Sequence, residues 1–110
     1  MHRGDIVLCV EKGSDYAGKP RPVVVVEADK FLSAREGVTV CPISSVLISA
    51  PDFRLRLHGS EQNGLNVDSD VMVDKITTVS RARIGKKIGE LEAGQLELLD
   101  SLIKNWLGLV

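Results

Sequence analysis

One arginine in this 110-residue chain is presented in a way that suits phosphate chemistry. Arg21 lies between Pro20 and Pro22, and the four residues that follow Pro22 are all valine. β-Branched residues favour strands, and a continuous apolar run predicts a strand that is covered on both faces. Because each proline fixes its own φ and drives the preceding residue into extended geometry, the guanidinium should project from a stiff strand entrance. A rigid, permanently charged and planar donor of this kind suits a phosphate group.

Two further arginines share one face of a predicted strand. Arg54 and Arg56 alternate with apolar residues in the segment 53–57, and this period of two predicts a half-buried strand that shows both arginines on the same side. A solvated strand face has the same pattern. The shared orientation also suits the backbone of a single-stranded polynucleotide, so both side chains are candidates for binding.

Composition limits the kinds of protein this can be. A net charge of −1 disfavours a protein that coats nucleic acid by bulk electrostatics, so any nucleic-acid contact must be local. Cys9 and Cys41 lie in apolar segments and are expected to be reduced core thiols, and neither they nor the two histidines have the spacing of a metal site. No membrane span or signal peptide is recognisable, which predicts a cytoplasmic protein.

Short apolar segments recur between polar or glycine-bearing loops, a pattern typical of strands. Pro42 should end regular pairing in the third strand, and a bend or bulge is expected near Asp74 in the fifth. We expect one helical turn within Lys30–Arg35, and strands at Asp5–Val10, from Arg21 onward, at Val38–Ile43, at Phe53–Leu57, at Val71–Ile76 and at Lys86–Leu91.

From Glu92 onward the apolar residues follow a helical period, and Gly108 is placed to end the helix. Several short strands followed by one terminal helix predict a mainly β fold: a small, curled antiparallel barrel with a C-terminal α-helix packed against it. Residues 1–110 should form a single domain.

The order of the motifs in this chain resembles the MazF/PemK family of toxins. The resemblance extends over nearly the whole chain and implies an SH3-like barrel of the CcdB/PemK type, a homodimer and a cognate antitoxin as partner. It also implies ribosome-independent, metal-independent cleavage of single-stranded RNA at short sequences, without a cofactor and with DNA met only indirectly through the antitoxin. The matching segments are Arg3–Val7, Gly18–Val23, Val40–Ser45, Val71–Val79 and Ile88–Leu91.

The resemblance also implies roles for individual residues. Arg21 matches the catalytic arginine of the family, Ser44 stands where a threonine is usual, and Asp74 matches the aspartate of PemK-type members. Two positions depart from the pattern. Met72 replaces a second catalytic arginine, and Ser14 with Asp15 replaces a His-Glu pair found in the first loop of some members.

Metal-free RNA cleavage needs a base, an acid and a group that stabilises charge, because the ribose 2′-hydroxyl attacks its own phosphate. Arg21 suits charge stabilisation better than proton transfer, since the pKa of a guanidinium lies above ~12. Ser44 can donate to a phosphate oxygen or orient the 2′-hydroxyl, or it can cap a turn. Asp74 can act as a base only if burial raises its pKa from ~3.9, and the alternative is an ion pair with Lys75 or Arg83.

Several residues around these positions are candidates for RNA binding. Tyr16, in the first loop, is the aromatic residue expected to stack on a base, and base recognition is expected to rest on the loops 11–19 and 45–52. His58 is expected to be an exposed turn residue. The full set of RNA-binding candidates is Ser14, Asp15, Tyr16, Lys19, Ser45, Arg54 and Arg56.

Two other functions remain open from the sequence. One is a CcdB-like toxin without enzymatic activity that binds and poisons a protein target such as DNA gyrase, for which the apolar C-terminal pair Trp106 and Leu107 gives some support. The other is an SH3-like binding module without activity. The motifs around Arg21 and Ser44 favour the nuclease.

Overall fold

The computed structural model describes residues 1–10 and 19–109, and along these residues seven strands and two helices follow one another. The prediction of a mainly β chain that ends in one long helix is confirmed. Two short 3-10 turns, Val73–Lys75 and Arg81–Arg83, precede the last two strands. In chain order the elements are β1 (Asp5–Cys9), β2 (Arg21–Val25), α1 (Asp29–Leu32), β3 (Gly37–Ser44), β4 (Arg54–Leu57), β5 (Ser69–Met72), β6 (Thr77–Ser80), β7 (Ile84–Glu90) and α2 (Ala93–Leu107).

The sheet is antiparallel and runs in the order β4-β5-β3-β2-β1-β7, with β6 also paired to β3. This path does not close on itself, so the fold is an open, barrel-like sheet. The strand β3 pairs with β2 on one side, and on the other side it pairs first with β6 and then with β5.

Pro42 does not end the pairing of β3, contrary to the expectation from sequence. It lies opposite Val23 of β2, and β3 continues to Ser44. On its other side, the pairing with β6 reaches Val40 and the pairing with β5 begins at Ile43. Pro42 therefore lies where β3 changes partners, a place in a sheet where a missing amide hydrogen costs least.

Two apolar cores lie on the two faces of the central strands. Alternate residues separate between them, as the period of two along a strand requires. Val24 and Cys41 join a core that includes Leu99 of α2, whereas Val23 and Val40 join a second core that contains no residue of α2. All four valines after Pro22 are buried, which confirms that this strand is covered on both faces.

The boundaries of α2 follow from its terminal residues. Glu92 is the N-cap, and it forms a reciprocal capping box with Gln95, which satisfies two backbone amides at the start of the helix. Gly108 ends the helix in the left-handed region with a φ of 71°, a conformation that costs glycine little. Among the described residues, no helix is long and apolar enough to cross a membrane.

The fifth strand is shorter than predicted. β5 ends at Met72, and the chain then forms the 3-10 turn Val73–Lys75 instead of continuing to Ile76. Val73 is fully buried in the core that contains Leu99, and the turn packs against α2. The predicted bend near Asp74 is therefore confirmed, but the residue lies in a helical turn and not in a strand.

A buried aspartate holds the two arginines of β4. Asp70, with a side chain that is 0% exposed, lies 2.6 Å from Nε of Arg56 and 3.6 Å from a terminal nitrogen of Arg54. It also accepts a hydrogen bond of 3.1 Å from the amide of Ile48. Burial opposes the charge of Asp70, but the bonds from Arg56 and Ile48 and the charges of both arginines outweigh it and lower the pKa of this carboxyl.

The first prediction concerns Asp70→Asn, which leaves both arginines without a carboxylate. We expect the free energy of unfolding at pH 7 to fall by about 2–3 kcal/mol. This loss is smaller than that for a fully buried ion pair that loses one partner, because Arg56 is half exposed. Because folding lowers the pKa of Asp70, its charged form stabilises the folded protein at pH values above ~3.9, the ordinary pKa of this carboxyl. This stabilisation is lost as the pH falls through the lowered pKa of the folded state. The difference between wild type and variant should therefore narrow in acid.

Urea denaturation at several pH values measures this effect. The matched control is Asp68→Asn, because Asp68 pairs with exposed His58 at the surface and its loss should change stability little. A variant at position 70 as stable as the wild type at pH 7 would contradict this account of the ion pairs.

Candidate active-site cleft

Arg21 lies at the start of β2, at the mouth of a cleft of about 700 Å³. Its neighbour across the strand pair is Cys9 of β1. Residues of both cores form the apolar floor of the cleft, with Val23 and Val40 from the core without α2 and Ile43 and Leu65 from the core that includes it. Arg21 is exposed, and within residues 1–10 and 19–109 its guanidinium has neither an acidic partner nor a hydrogen-bond acceptor. The charge is thus available to a ligand in the cleft.

Ser44 reaches the same cleft from the end of β3. Its hydroxyl oxygen accepts a hydrogen bond of 3.1 Å from the amide of Val46, so the turn-capping role considered from sequence is present. The hydroxyl hydrogen is not used in that bond and can still be donated. Lys19 and Ser45 also line the cleft and are exposed, so four of the predicted site residues are brought together.

The charge of the cleft is positive. Lys19, Arg21 and Arg83 contribute to its lining, and no aspartate or glutamate is found among the described residues that line it. The Nε of Arg83 donates a hydrogen bond of 2.6 Å to the carbonyl of Val10, which fixes the direction of this side chain. Three cations around an apolar floor match the phosphate and base parts of a nucleotide.

Sequence reasoning did not assign Arg83 to the site. The sequence offered this residue as an ion-pair partner for Asp74 and as one of several basic residues near strand ends, and the structure shows no ion pair between these two described residues. The pairing of β7 with β1 carries Arg83 to the cleft. No local pattern around Arg83 signals that pairing, because the two strands are far apart in the chain.

Asp74 is not brought to the cleft. It lies in the 3-10 turn after β5, and one of its carboxylate oxygens is buried without a hydrogen-bond partner among the described residues. Burial, with a smaller contribution from the charge of Asp74, raises the pKa of the Cys41 thiol to about 12 against the opposing charge of Arg3. Cys41 belongs to the core that includes α2, and Asp74 is not among the described residues that line the cleft of Arg21.

Met72, where the resemblance implies a second arginine, does line the cleft. It adds apolar surface there and no charge.

The arginines of β4 also lie elsewhere. Arg54 and Arg56 line a separate depression of about 430 Å³ together with Asp70 and Leu98. Asp70 balances one of their two positive charges, and the RNA-binding role predicted for these two residues stays a prediction.

The remaining candidates divide into two groups. His58 is exposed, and its Nδ1 lies 3.2 Å from a carboxylate oxygen of Asp68, as expected for a surface turn. Ser14, Asp15 and Tyr16 lie outside the described residues. Within the part of the chain that the structure describes, no group of three or more metal-ligating side chains could hold an ion.

This chain is similar to known proteins at the level of the family, of individual sequences and of solved structures. A family model described as "PemK-like, MazF-like toxin of type II toxin-antitoxin system" matches residues 2–107. The "Probable endoribonuclease MazF" of Mycolicibacterium smegmatis is 36% identical over 109 residues, which are 99% of this chain and 98% of that protein. The "Endoribonuclease MazF9" of Mycobacterium tuberculosis is 31% identical over 117 aligned positions, with coverage of 99% and 98%.

Solved structures agree with the fold. The Mycobacterium tuberculosis toxin MazF-mt6 has a TM-score of 0.80 at 25% identity and covers 94% of this chain and 96% of its own. A mycobacterial endoribonuclease solved in complex with its cognate antitoxin has a TM-score of 0.80 at 18% identity, with coverage of 100% and 97%. Since the family model matches almost the whole chain and two relatives exceed 30% identity over nearly their full length, this chain belongs to the PemK-like, MazF-like family of toxins from type II toxin–antitoxin systems.

Proposed function

We propose that this toxin is a metal-independent endoribonuclease that cleaves single-stranded RNA in the cleft headed by Arg21. The observation that carries the proposal is the meeting of Arg21 and Ser44 in one cleft that is cationic at its rim and apolar on its floor. The two relatives named endoribonucleases support the same class of activity. They favour it over the CcdB-like alternative. Trp106, which gave that alternative some support, packs its ring 5.6 Å from that of Phe53 in the same chain.

The reaction proposed is an internal transfer. The ribose 2′-oxygen bonds to the adjacent phosphorus while the bond from phosphorus to the 5′-oxygen breaks, which leaves a 2′,3′-cyclic phosphate and a 5′-hydroxyl. A base takes the proton of the 2′-hydroxyl, and an acid supplies one to the 5′-oxygen. Negative charge grows on the phosphoryl oxygens between these steps, so an exposed guanidinium that pairs with no described residue stabilises the transition state most at that point.

We assign this charge stabilisation to Arg21. Ser44 is the second group, because the amide of Val46 occupies its oxygen and leaves the hydroxyl hydrogen to be donated to a phosphoryl oxygen or the ribose. Arg83 and Lys19 are proposed to hold flanking phosphates, and Arg83 supplies a second guanidinium to a cleft in which Met72 offers none. Asp74 is not among the described residues that line the cleft, which argues against its role as base.

The proposed partners are a cognate antitoxin and a second copy of the chain. The mycobacterial structure solved with its antitoxin supports the first. The homodimer is supported by an apolar patch in which Val46, Leu47 and Ile48 of the β3–β4 loop and Leu98 of α2 are all exposed, with Ile48 and Leu98 lining the same depression. Such a surface is normally covered in an assembly. The proposed location is the cytoplasm, where buried thiols such as Cys41 stay reduced.

The second prediction is that Arg21→Ala slows cleavage strongly without unfolding the protein. Loss of one positioned donor should lower the rate by about 10²- to 10³-fold. The measurement is the cleavage of a long RNA in EDTA, with the fragment ends tested for cyclic phosphate and circular dichroism used to check the fold. Arg35→Ala is the matched control, since Arg35 is an exposed arginine outside the cleft and should cleave like the wild type. Intact RNA after incubation with excess wild-type protein would refute the nuclease.

The third prediction separates the two remaining catalytic candidates. Ser44→Ala should lower the rate by about tenfold, as expected for a neutral hydrogen-bond donor, and Ser44→Thr should restore most of it. Asp74→Asn should keep wild-type activity across the pH range, because its carboxylate lies away from the cleft. A large loss of rate in Asp74→Asn together with a changed pH profile would return the role of base to this residue.

The fourth prediction concerns the homodimer. Leu98→Asp places a charge in the apolar patch and should convert a dimeric wild type into a monomer, as measured by light scattering after gel filtration. Phe31→Asp is the control, because Phe31 is equally an exposed apolar residue but lies on α1. If both variants and the wild type have the mass of a monomer, the dimer through this patch is wrong.

A further inference from the structure

One wall of the cleft is formed by the connection between β4 and β5, residues 58–68. Asn66 and Val67 of this connection line the same cleft as Arg21 and Ser44. Both side chains are exposed, and Val67 is 56% exposed. Across residues 1–10 and 19–109, the side-chain amide of Asn66 makes no hydrogen bond. The wall thus offers the cleft one unpaired amide beside one apolar surface.

The connection is held by a buried asparagine at its centre. Asn63, which is 2% exposed, accepts hydrogen bonds of 2.9 Å from the amide of Ser60 and 3.0 Å from the amide of Leu65 through Oδ1. Its side-chain nitrogen donates a bond of 2.8 Å to the carbonyl of His58. One side chain therefore fixes backbone on both sides of the turn, up to the residue directly before Asn66.

The same connection is pressed directly against β7. Gly64 has a φ of +73°, and a Cβ atom there would lie 2.0 Å from the carbonyl oxygen of Ile88. A Cβ atom at Gly89 would lie 2.3 Å from the carbonyl carbon of Asn63, and the amide of Glu90 donates a 3.0 Å bond to the carbonyl of Gln62. At Gly64 and Gly89 the backbone of the connection contacts the backbone of β7 with no side chain between them. These contacts fix the position of the wall relative to β7.

We propose that Asn66 selects one base of the bound RNA, and that this base is adenine. This inference rests on the proposed function, since it assigns the base-reading part of the same cleft. An asparagine amide offers a donor beside an acceptor and pairs with the N6 and N7 edge of adenine through two hydrogen bonds. Bases of single-stranded RNA are splayed out and expose such edges. Val67 provides the apolar contact for the base.

The other polar residues of the cleft are less suited to this task. The hydroxyls of Ser44 and Ser45 can pair with any base, because a hydroxyl both donates and accepts. Arg21, Arg83 and Lys19 are donors only and are suited to phosphates, which carry no sequence information. Because the backbone up to Leu65 is already fixed, base binding has to order only the side chain of Asn66, which lowers the entropy lost on binding.

The test is the cleavage of an RNA library of random sequence, followed by sequencing of the fragment ends. Wild-type protein should prefer adenine at one position near the cut, and Asn66→Ala should lose that preference by about 5- to 100-fold while preferences at other positions remain. Asn66→Asp, which can only accept, should shift the position toward cytosine. The matched control is Gln62→Ala, which removes an exposed amide from the same connection but outside the cleft and should leave every preference unchanged.

A second arm uses 2′-fluoro RNA of random sequence, which lacks the attacking hydroxyl, and selects bound molecules without cleavage. If wild type selects adenine in this arm but cuts no RNA in the first, the nuclease proposal fails and the role of Asn66 stands. The inference is overturned if wild type shows no adenine preference in either arm, or if Asn66→Ala keeps the wild-type preference.

Discussion

The fold depends on one strand that is shared among three partners. β3 pairs with β2 along one side and passes from β6 to β5 along the other, so the sheet is organised around its eight residues. Successive side chains of a strand point to opposite faces, and β3 therefore contributes to both cores. Its last residue, Ser44, reaches the cleft, whereas Cys41 lies in the core with α2. One strand thus supplies residues to both cores and, at its end, to the cleft.

The local charge of the cleft depends on where the charged side chains lie and not on the net charge of the chain. The chain has a net charge of −1, yet the described lining of the cleft is cationic because no aspartate or glutamate is found among those lining residues. Asp70 balances one of the two positive charges of Arg54 and Arg56 in the smaller depression, and Arg3 pairs with Asp100 of α2. The guanidinium of Arg21 stays exposed. A nearly neutral protein can therefore hold a phosphate locally without binding nucleic acid over its whole surface.

The sequence predicted features that depend on neighbouring residues, but it did not predict contacts between residues that are distant in the chain. The valine run, the end of α2 at Gly108 and the bend near Asp74 all follow from neighbouring residues, and the structure confirms them. Alternation in β4 correctly placed Arg54 and Arg56 on one face but did not show that Asp70 lies opposite Arg56 in β5 and within 3.6 Å of Arg54. The meeting of Arg21 and Ser44 was expected only from the order of family motifs, since it depends on the pairing of β2 with β3.

Two buried polar side chains order the loops on either side of β4. Asp70 binds the amide of Ile48 in the loop that starts after Ser44, and Asn63 holds the connection that carries Asn66. A buried polar group destabilises the fold unless its hydrogen bonds are made. Each loop must therefore keep the conformation that satisfies the hydrogen bonds of its buried side chain. Phosphate contacts carry no sequence information, so the proposed selection among RNA sequences relies on loops of this kind. Loops that are already anchored in the free protein lower the ordering cost of that proposed base recognition.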